Sequence, residues 1–497
     1  MKSIKRLGAV FALIGASCAT LPLAAQNDAD VQRYSSNYFL GSARFNAMGG
    51  AFGALGGDLS AAHINPAGLG VFRYSEISFT PAVELNGIDF TMNGATTNEF
   101  KDKFVVNNIG FMLANETRDP NWKSVNFGVS YTRLNTFNDY LRTSNDLGYL
   151  SSLASDFLRE ANGQTLGELS NFSAGLAWDT DIIYSDDTLT SNTSYSGRYV
   201  DGDILNQTHS AERDGRISET SIIVGTNYND ILHLGASLNF QSVFYQSEVS
   251  TTETFISTSL PPPDPELTSY TIQDNLQTEG LGVNLKIGAI MRAGNTFRFG
   301  AAIHTPTTFS LSDVYRTQLT ARYSAGNPFE NSDADGFSDY RIRTPWRFMA
   351  SAAAVIGTKG ILSAQYEYSN FGSGQLLAAN RSGSYQDFSG TNAMIAQMFS
   401  TSQTFRLGGE FRPTKSLFFR GGFALFENPI PINEVSGTNL DRYQYSAGIG
   451  YRLPTWSIDL SYQQARFDEE YKINDSNSTA ILSNQLSSIA LSLNFRL

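Results

Sequence analysis

The chain is poor in cysteine, in charged residues and in long apolar runs. Cys18 is the only cysteine among 497 residues, so no internal disulfide can form. Charged residues make up 16% of the chain, against roughly 25% in ordinary soluble domains. After the first 25 residues, no apolar run approaches the roughly 20 residues that a membrane-spanning helix needs. These shortages exclude a disulfide-stapled scaffold and a helical membrane protein.

Basic residues are outnumbered by acidic ones, and the formal net charge is −12. Proteins that bind nucleic acid need a basic surface to neutralise phosphates, so we expect no nucleic-acid partner. The four histidines are scattered, with no H-E-x-x-H spacing, and the chain beyond its leader has no G-x-S-x-G nucleophile elbow. We therefore expect no enzyme activity, no cofactor and no metal site.

Aromatic residues are abundant, and they alternate with polar residues. The chain has 23 Tyr and 34 Phe, yet its mean hydropathy is only −0.22. In Tyr443 to Arg452, for example, Tyr445, Ile449 and Tyr451 fall on one face of a strand and the polar residues fall on the other. This period of two, with little charge and many aromatics, is typical of a membrane β-barrel in which every second residue meets lipid. A soluble β-sandwich or propeller would also alternate, but it would not concentrate aromatics at the strand ends.

From residue 75 onward we predict an all-β fold, a transmembrane antiparallel β-barrel of about 14 strands. The predicted strands are 75–86, 107–115, 123–133, 217–228, 231–246, 279–292, 296–313, 339–356, 360–370, 402–412, 416–426, 443–452, 455–466 and 486–496. The connections alternate between short and long, as in outer-membrane barrels with short periplasmic turns and long extracellular loops. An even strand count then places both chain termini on the periplasmic side.

The first 25 residues have the pattern of a secretory signal peptide. Lys2, Lys5 and Arg6 precede an apolar stretch, and Ala24-Ala25 offers a small-residue cleavage site. A lipoprotein leader ending before Cys18 is the alternative. Residues 1–25 are thus predicted to be removed, residues 26–74 to form an N-terminal plug, and residues 75–497 to form the barrel. The expected location is the outer membrane of a diderm bacterium, where the chain crosses the membrane many times and contacts outer-membrane lipid.

A glycine-rich stretch, residues 41–70, carries the prediction of a plug inside the lumen. Its glycines permit positive φ and close backbone approach, and Asn65-Pro66 favours a turn. A phosphate-binding loop is excluded because Gly57 is followed by Asp58 and not by Lys-Ser/Thr. The alternative is a plain structural turn. The predicted plug and gate residues are Gly49, Gly50, Asp58, Asn65, Pro66, Ala67 and Gly68.

Several motifs resemble those of one known family. They are Gly49-Gly50-Ala51-Phe52, Asp58-Leu59-Ser60-Ala61-Ala62, Asn65-Pro66-Ala67-Gly68-Leu69, His304-Thr305-Pro306-Thr307, Thr344-Pro345-Trp346, the run 362–368 and the run 445–451. Together they resemble FadL-type outer-membrane transporters of long-chain fatty acids and other hydrophobic compounds. The resemblance implies an N-terminal hatch and sideways release of the ligand into the membrane through a defect in the barrel wall.

Two of the long loops carry apolar residues at near-helical spacing, one near residues 145–163 and one near 391–400. Such apolar faces must be buried or bind something. They can pack on each other, or form a shallow site for a hydrophobic ligand. The predicted ligand-binding residues are Leu150, Leu153, Phe157, Met394, Met398 and Phe399.

The sequence therefore predicts passive transport of hydrophobic, fatty-acid-like small molecules through a plugged barrel. A ligand acid would need a cation in the lumen, and Lys286, Arg292, Arg298 and Arg406 are candidates on polar strand faces. The alternative function is a non-transporting barrel that acts as a partner of protein secretion or surface attachment. A general polar porin is a third possibility, which the predicted plug disfavours.

Overall fold

The protein is a closed antiparallel barrel whose ring contains 14 strand positions. The computed structural model describes residues 28–92, 95–147, 152–185, 191–198, 204–257, 266–324, 329–379, 387–431, 438–473 and 480–497. The predicted signal peptide lies outside the described residues and stays a prediction. The ring closes because the first strand, from Glu76 to Met92, pairs with both the second and the last.

The strand positions are labelled β1 to β14 in chain order, and three of them consist of two segments. They are β1 Glu76–Met92, β2 Ala95–Leu113, β3 Trp122–Leu147, β4 Ile204–Tyr228, β5 Leu232–Ser257, β6 Leu267–Ala293, β7 Phe297–His304 with Thr308–Tyr323, β8 Phe329–Arg343 with Arg347–Ile356, β9 Gly360–Asn370 with Gln375–Ala378, β10 Thr401–Phe411, β11 Leu417–Phe426, β12 Arg442–Arg452, β13 Trp456–Tyr471 and β14 Ala480–Arg496.

The predicted transmembrane barrel of about 14 strands is confirmed, with corrections to individual strands. The predictions 296–313 and 339–356 each treat as one strand what the structure divides into two segments, at Thr305–Thr307 and Thr344–Trp346. In both places a proline, which has no N–H to donate to the ladder, interrupts the pairing. We call the end of the barrel at which β1 begins and β14 ends the short-turn end, and the opposite end the long-loop end.

Alternation between the two faces is confirmed along the strands. On β6, Leu281, Leu285 and Ile287 are exposed, whereas Asn284 and Lys286 between them are buried. Tyr445, Ile449 and Tyr451 are likewise exposed on β12. These outward apolar side chains form the band that contacts lipid, and the inward side chains are mostly small or polar.

The wall is taller on one side than on the other. The strands β3 to β6 contain 25 to 27 residues, whereas β10 to β12 contain 10 or 11. A strand needs only about 9–11 residues to cross the hydrocarbon. Residues 134–147 and 204–216 of the predicted loop 134–216 are therefore strand, which extends β3 and β4 beyond the membrane.

Helices are short and lie before or between the strands. They are α1 Asp28–Ser35, α2 Ala43–Ala47, α3 Leu153–Ala161, α4 Ala174–Asp179 and α5 Ser389–Met398, with 3-10 turns at Leu59–His63, Pro66–Val71, Leu166–Glu168 and Phe371–Ser373. A small hairpin, Ile183–Tyr184 with Ser196–Gly197, accompanies α3 and α4. No helix in the described part of the chain is both long and apolar enough to span a membrane.

Candidate functional site

The N-terminal segment, residues 28–72, is almost wholly buried and bonds to inward side chains from several sides of the ring. The backbone N–H of Ala43 donates to Ser492 Oγ on β14 at 2.6 Å. The N–H of Gly53 donates to Gln365 Oε1 on β9 at 3.0 Å. On β6, Lys286 Nζ donates to the carbonyl of His63 at 2.9 Å. A segment held by strands this far apart in the ring lies within the lumen.

The seven residues predicted for the plug and gate are all buried in this segment. Gly49 and Gly50 have φ values of +61° and +74°, which glycine adopts without strain. Asp58 caps the turn Leu59–His63 by accepting from the N–H of Ser60 at 2.9 Å. Its second oxygen accepts from Ser42 Oγ at 2.7 Å. The structure places all seven in this segment but not at one point, because Gly49 lies against β11 and Asn65 against β6. Their gating role stays a prediction.

Asn65 joins two turns of the segment to the wall. Its Oδ1 accepts from the N–H of Ala67 at 3.1 Å, which caps the turn Pro66–Val71. Its Nδ2 donates to the carbonyl of Gly53 at 2.7 Å and approaches that of Ala289 on β6 at 3.2 Å. Pro66 occupies the first position of the turn, where the missing N–H is harmless. Asn65 and Pro66 therefore form a turn and also attach the segment to β6.

Glycines in the wall create the space for this turn. Gly225 on β4 pairs with Gly235 on β5, which pairs with Gly288 on β6. A Cβ on Gly235 would lie 2.3 Å from the carbonyl carbon of Pro66, and one on Gly288 would lie 1.9 Å from Asn65 Oδ1. These positions are not among the residues predicted from the sequence. Three glycines on the inward faces of successive strands do indicate a close backbone contact once the strands are aligned.

A second group of wall glycines lies against the first part of the segment. Gly408 on β10 and Gly422 on β11 are partners in the ladder. A Cβ on Gly408 would lie 2.5 Å from the carbonyl oxygen of Met48, and one on Gly422 would lie 2.2 Å from the nitrogen of Gly49. The segment is thus fitted to the wall by backbone-to-backbone contact at two places.

A buried charged cluster links the segment to β4 and β6. The Glu219 side chain is fully buried and ion-pairs with Lys286. His63 Nδ1 lies 2.8 Å from Glu219 Oε1, and His63 Nε2 lies 2.7 Å from Ser130 Oγ. The other carboxylate oxygen accepts from Gln241 Nε2 at 2.8 Å. Both oxygens of Glu219 therefore have partners, as a buried carboxylate requires.

Two further carboxylates are each held between two arginines. Glu367 bonds to Arg406 Nη1 at 2.9 Å and to Arg347 on its other oxygen. Glu410 accepts from Arg44 Nε of the segment at 3.0 Å and from Arg420 Nε at 2.7 Å. These clusters fix the segment to the wall on the side opposite Glu219.

Most of the cations predicted to bind a ligand acid are instead bonded to other groups of the protein. Lys286 and Arg406 are ion-paired within the wall. Arg298 Nη1 donates to the carbonyl of Leu55 at 3.0 Å, and Arg292 is its ladder partner near the short-turn end. Three of the four candidates hold the structure together.

A cavity of about 460 Å³, which we call the chamber, lies between the N-terminal segment and the long loops. Its lining combines polar and apolar side chains in about equal measure, and the polar ones include Arg213 and Glu469. Arg442 lies 3.8 Å from the ring centroid of Tyr38 and 4.8 Å from that of Phe467. A volume of this size suits a small ligand, and the lining suits one that carries a polar group.

The wall is split beside the chamber. Pairing between β2 and β3 covers only residues 108–113 and 127–132. From there to the long-loop end, the described part of β2 pairs with β1 alone, whereas β3 pairs with β4 and, through a bridge from Arg133 to Leu40, with the N-terminal segment. Side chains cross this split, as Thr97 Oγ1 does to the carbonyl of Arg142 at 3.1 Å. Asn86 and Asn138 line the chamber at the same place.

The predicted ligand-binding residues of the loops separate into two groups. Leu150 lies outside the described residues. Leu153 and Phe157 are on α3 and pack with α4 in one apolar cluster. Phe399, at the end of α5, is buried in a different cluster that includes α1, whereas Met394 and Met398 are 37% and 46% exposed. The two patches do not share a cluster, so the expectation that they pack on each other is wrong.

Metal-binding geometry is missing from the described ranges, where no group of three or more His, Cys, Asp or Glu side chains could hold an ion.

Comparisons with known proteins agree with this architecture. A family model described as outer membrane protein transport protein (OMPP1/FadL/TodX) matches residues 221–494, which is more than half of the chain. A FadL homologue from Pseudomonas aeruginosa has a similar structure, with a TM-score of 0.54, 12% identity and coverage of 93% of this chain and 99% of that one. The toluene transporter TodX from Pseudomonas putida is also similar, with a TM-score of 0.53, 13% identity and coverage of 93% of this chain and 99% of that one. No curated protein sequence matches significantly.

At such low identity the two structures support the fold alone, and the family assignment rests on the matched residues 221–494. The chain belongs to the OMPP1/FadL/TodX family of outer membrane transport proteins and is a multi-pass β-barrel of the outer membrane.

Proposed function

We propose that the protein carries hydrophobic small molecules passively across the outer membrane, with the N-terminal segment as its plug. The observation that supports this most directly is the chamber, which is closed by the segment on one side and lies beside a split in the wall on another. A solved relative of the same fold is a toluene transporter. We further propose that the ligands resemble fatty acids. Polar groups in the chamber can bind a carboxylate head group, and the split in the wall offers the acyl chain an exit to lipid.

The split between β2 and β3 gives the proposed transport a sideways route. A ligand that reaches the chamber from the long-loop end meets the buried N-terminal segment below it. Apolar side chains flank the split on its outer face, where Phe100 and Phe104 are 62% and 69% exposed. An apolar chain that leaves through the split enters lipid without crossing water, which the hydrophobic effect favours.

The test is uptake of a labelled hydrophobic compound by cells that lack the gene and by cells with the gene restored. We expect uptake to fall in the deletion strain and to return on restoration, for a long-chain fatty acid more than for a sugar of similar mass. Equal uptake in both strains would refute transport. Mislocalised surface proteins with unchanged uptake would instead favour the secretion-partner alternative, to which the exposed Met394 and Met398 lend an apolar contact surface.

Replacing Met394 and Met398 together with serine is expected to lower the rate of ligand capture without lowering the stability of the barrel. Both side chains are partly exposed and neither belongs to a buried cluster, so their removal leaves no cavity in the core. The measurement is the initial rate of uptake beside the thermal unfolding midpoint. Leu166→Ser, at an exposed apolar residue on the other loop, is the matched control and should leave uptake unchanged. An unaltered rate in the double variant would remove α5 from the ligand path.

A further inference from the structure

Two asparagines of the chamber wall carry amide atoms without a hydrogen-bond partner. Asn86 on β1 and Asn138 on β3 both line the chamber, and they are only 7% and 3% exposed. Asn86 Nδ2 donates to the backbone carbonyl of Asn138 at 2.9 Å, so the two residues adjoin. Asn86 Oδ1 and both amide atoms of Asn138 have no partner among the described residues. Together they offer two acceptors and one donor at one place.

This count of donors and acceptors does not depend on how the two amides are turned. Turning Asn86 over would bring its oxygen against a carbonyl oxygen, and turning Asn138 over would exchange one unpartnered atom for another. A buried polar atom without a partner has lost its hydration and gained nothing in return, so such atoms are rare in folded proteins. These three atoms therefore indicate a ligand that both donates and accepts hydrogen bonds.

Hydroxyl groups have the required chemistry, because each of them donates one hydrogen bond and accepts others. Two neighbouring hydroxyls can donate to Asn86 Oδ1 and Asn138 Oδ1 while one of them accepts from Asn138 Nδ2. A carboxylate only accepts, so it would leave both oxygens unpaired and bring a negative charge beside them. A hydrocarbon would leave all three atoms unpaired.

The charges around the chamber also disfavour an anionic head group. Its described lining contains six carboxylates and four guanidinium groups, a formal excess of negative charge. Three of the arginines, Arg33, Arg213 and Arg347, already pair with carboxylates of the protein. The fourth, Arg442, is stacked on two aromatic rings. An anionic ligand would have to displace one of these contacts, whereas a neutral head group would not.

Apolar side chains of the chamber provide for the rest of the ligand. Leu486 on β14 is the ladder partner of Asn86, and it lines the chamber together with Phe426, Ile430 and Leu440. The volume of about 460 Å³ lies within the roughly 300–1,000 Å³ of small-molecule sites. An amphiphile with a compact hydroxylated head and one acyl chain therefore matches both parts of the lining.

We propose that the chamber binds single-chain lipids whose neutral head group carries two neighbouring hydroxyls, as in a monoacylglycerol, in preference to the free fatty acid with the same chain. Asn86 and Asn138 determine this specificity, because their unpartnered amide atoms bind the two hydroxyls. The proposal rests on the proposed function and deepens it, since it names the head group that the same chamber selects.

The test compares three lipids that share a lauroyl chain. Laurate is anionic, methyl laurate is neutral without a hydroxyl, and monolauroylglycerol is neutral with two hydroxyls. Isothermal titration calorimetry measures their Kd for the protein in amphipol, so that no detergent competes for the chamber. We expect monolauroylglycerol to bind about fivefold or more tightly than either of the others. In Asn138→Leu, which removes both amide atoms, this advantage should disappear while the binding of methyl laurate is unchanged.

The matched control is Asn98→Leu, which makes the same substitution outside the chamber. Asn98 is exposed on β2 and its amide donates to Asp89, so all three affinities should equal those of the wild type. Should the Asn138→Leu barrel fail to fold, Asn138→Ala carries the same expectation. Unchanged binding of methyl laurate shows in either variant that the chamber is intact.

Three results would overturn the proposal. The first is laurate binding as tightly as monolauroylglycerol. The second is equal affinity for monolauroylglycerol and methyl laurate, or no binding of either, because the asparagines would then bind water only. The third is an advantage of monolauroylglycerol that survives in Asn138→Leu. Transport is judged separately by the uptake experiment on cells, so the proposed function and this preference can fail independently.

Discussion

Replacing Gly288 with valine is expected to turn a closed barrel into an open pore. A Cβ at this position would overlap Asn65 Oδ1, at 1.9 Å, and Asn65 is the residue that joins two turns of the N-terminal segment to the wall. The wall is held by continuous ladders on both sides of Gly288, whereas the turn is held by a few hydrogen bonds. The segment should therefore move, and single-channel recordings in planar bilayers should show a steady conductance that the wild-type protein lacks.

Gly421→Val is the matched control for this experiment. Gly421 also lies in a wall strand, but a Cβ there meets nothing closer than 3.9 Å. It should fold and stay closed. A Gly288→Val barrel that folds normally and conducts no more than the Gly421→Val barrel would show that the segment does not block the lumen.

Replacing Glu219 with glutamine should destabilise the protein by about 3–5 kcal/mol, because it leaves a buried lysine without its counter-charge. The side chains of Glu219 and Lys286 are 0% and 2% exposed, so water offers little compensation. The same change also weakens the contact with His63, which ties the N-terminal segment to β4. Urea unfolding of the reconstituted barrel measures the loss.

A second variant distinguishes the charge from the packing at this site. Glu219→Gln combined with Lys286→Met removes both charges, and it should recover most of the lost stability, since a buried pair replaced as a whole is nearly neutral. Glu212→Gln breaks the exposed pair with Lys101 and should change stability by less than about 1 kcal/mol. Equal losses for the two single variants would show that burial does not govern these pairs.

The ring of 14 positions is predictable from the sequence because lipid imposes a strict alternation on every crossing. Leu285 on β6 and Tyr445 on β12 must face outward, so the residues next to each of them along the same strand must face inward. The turn at Asn229 and Asp230, where both residues have positive φ, is also predictable, because Asn and Asp are residue types that favour such turns.

Above the membrane this constraint is lost, and prediction fails there. Residues 134–147 and 204–216 are mostly polar and show no regular alternation of apolar and polar residues, so the sequence predicts a loop where the structure continues β3 and β4. The interruption of β7 is missed in a related way, because the alternation in the sequence continues through Pro306 and hides the break. The glycines that face Asn65 and Pro66 acquire meaning only from the pairing register, which depends on partners far along the chain.

The bond between Ala43 and Ser492 joins positions 449 residues apart, and this distance has a consequence for biogenesis. The N-terminal segment leaves the ribosome before every strand that later surrounds it, and its binding site is incomplete until β14 pairs with β1. Contacts of such sequence separation form late, because closing the intervening chain costs entropy first. We therefore expect the N-terminal segment to reach its place only after the barrel closes, and its apolar turns to be exposed to association until then.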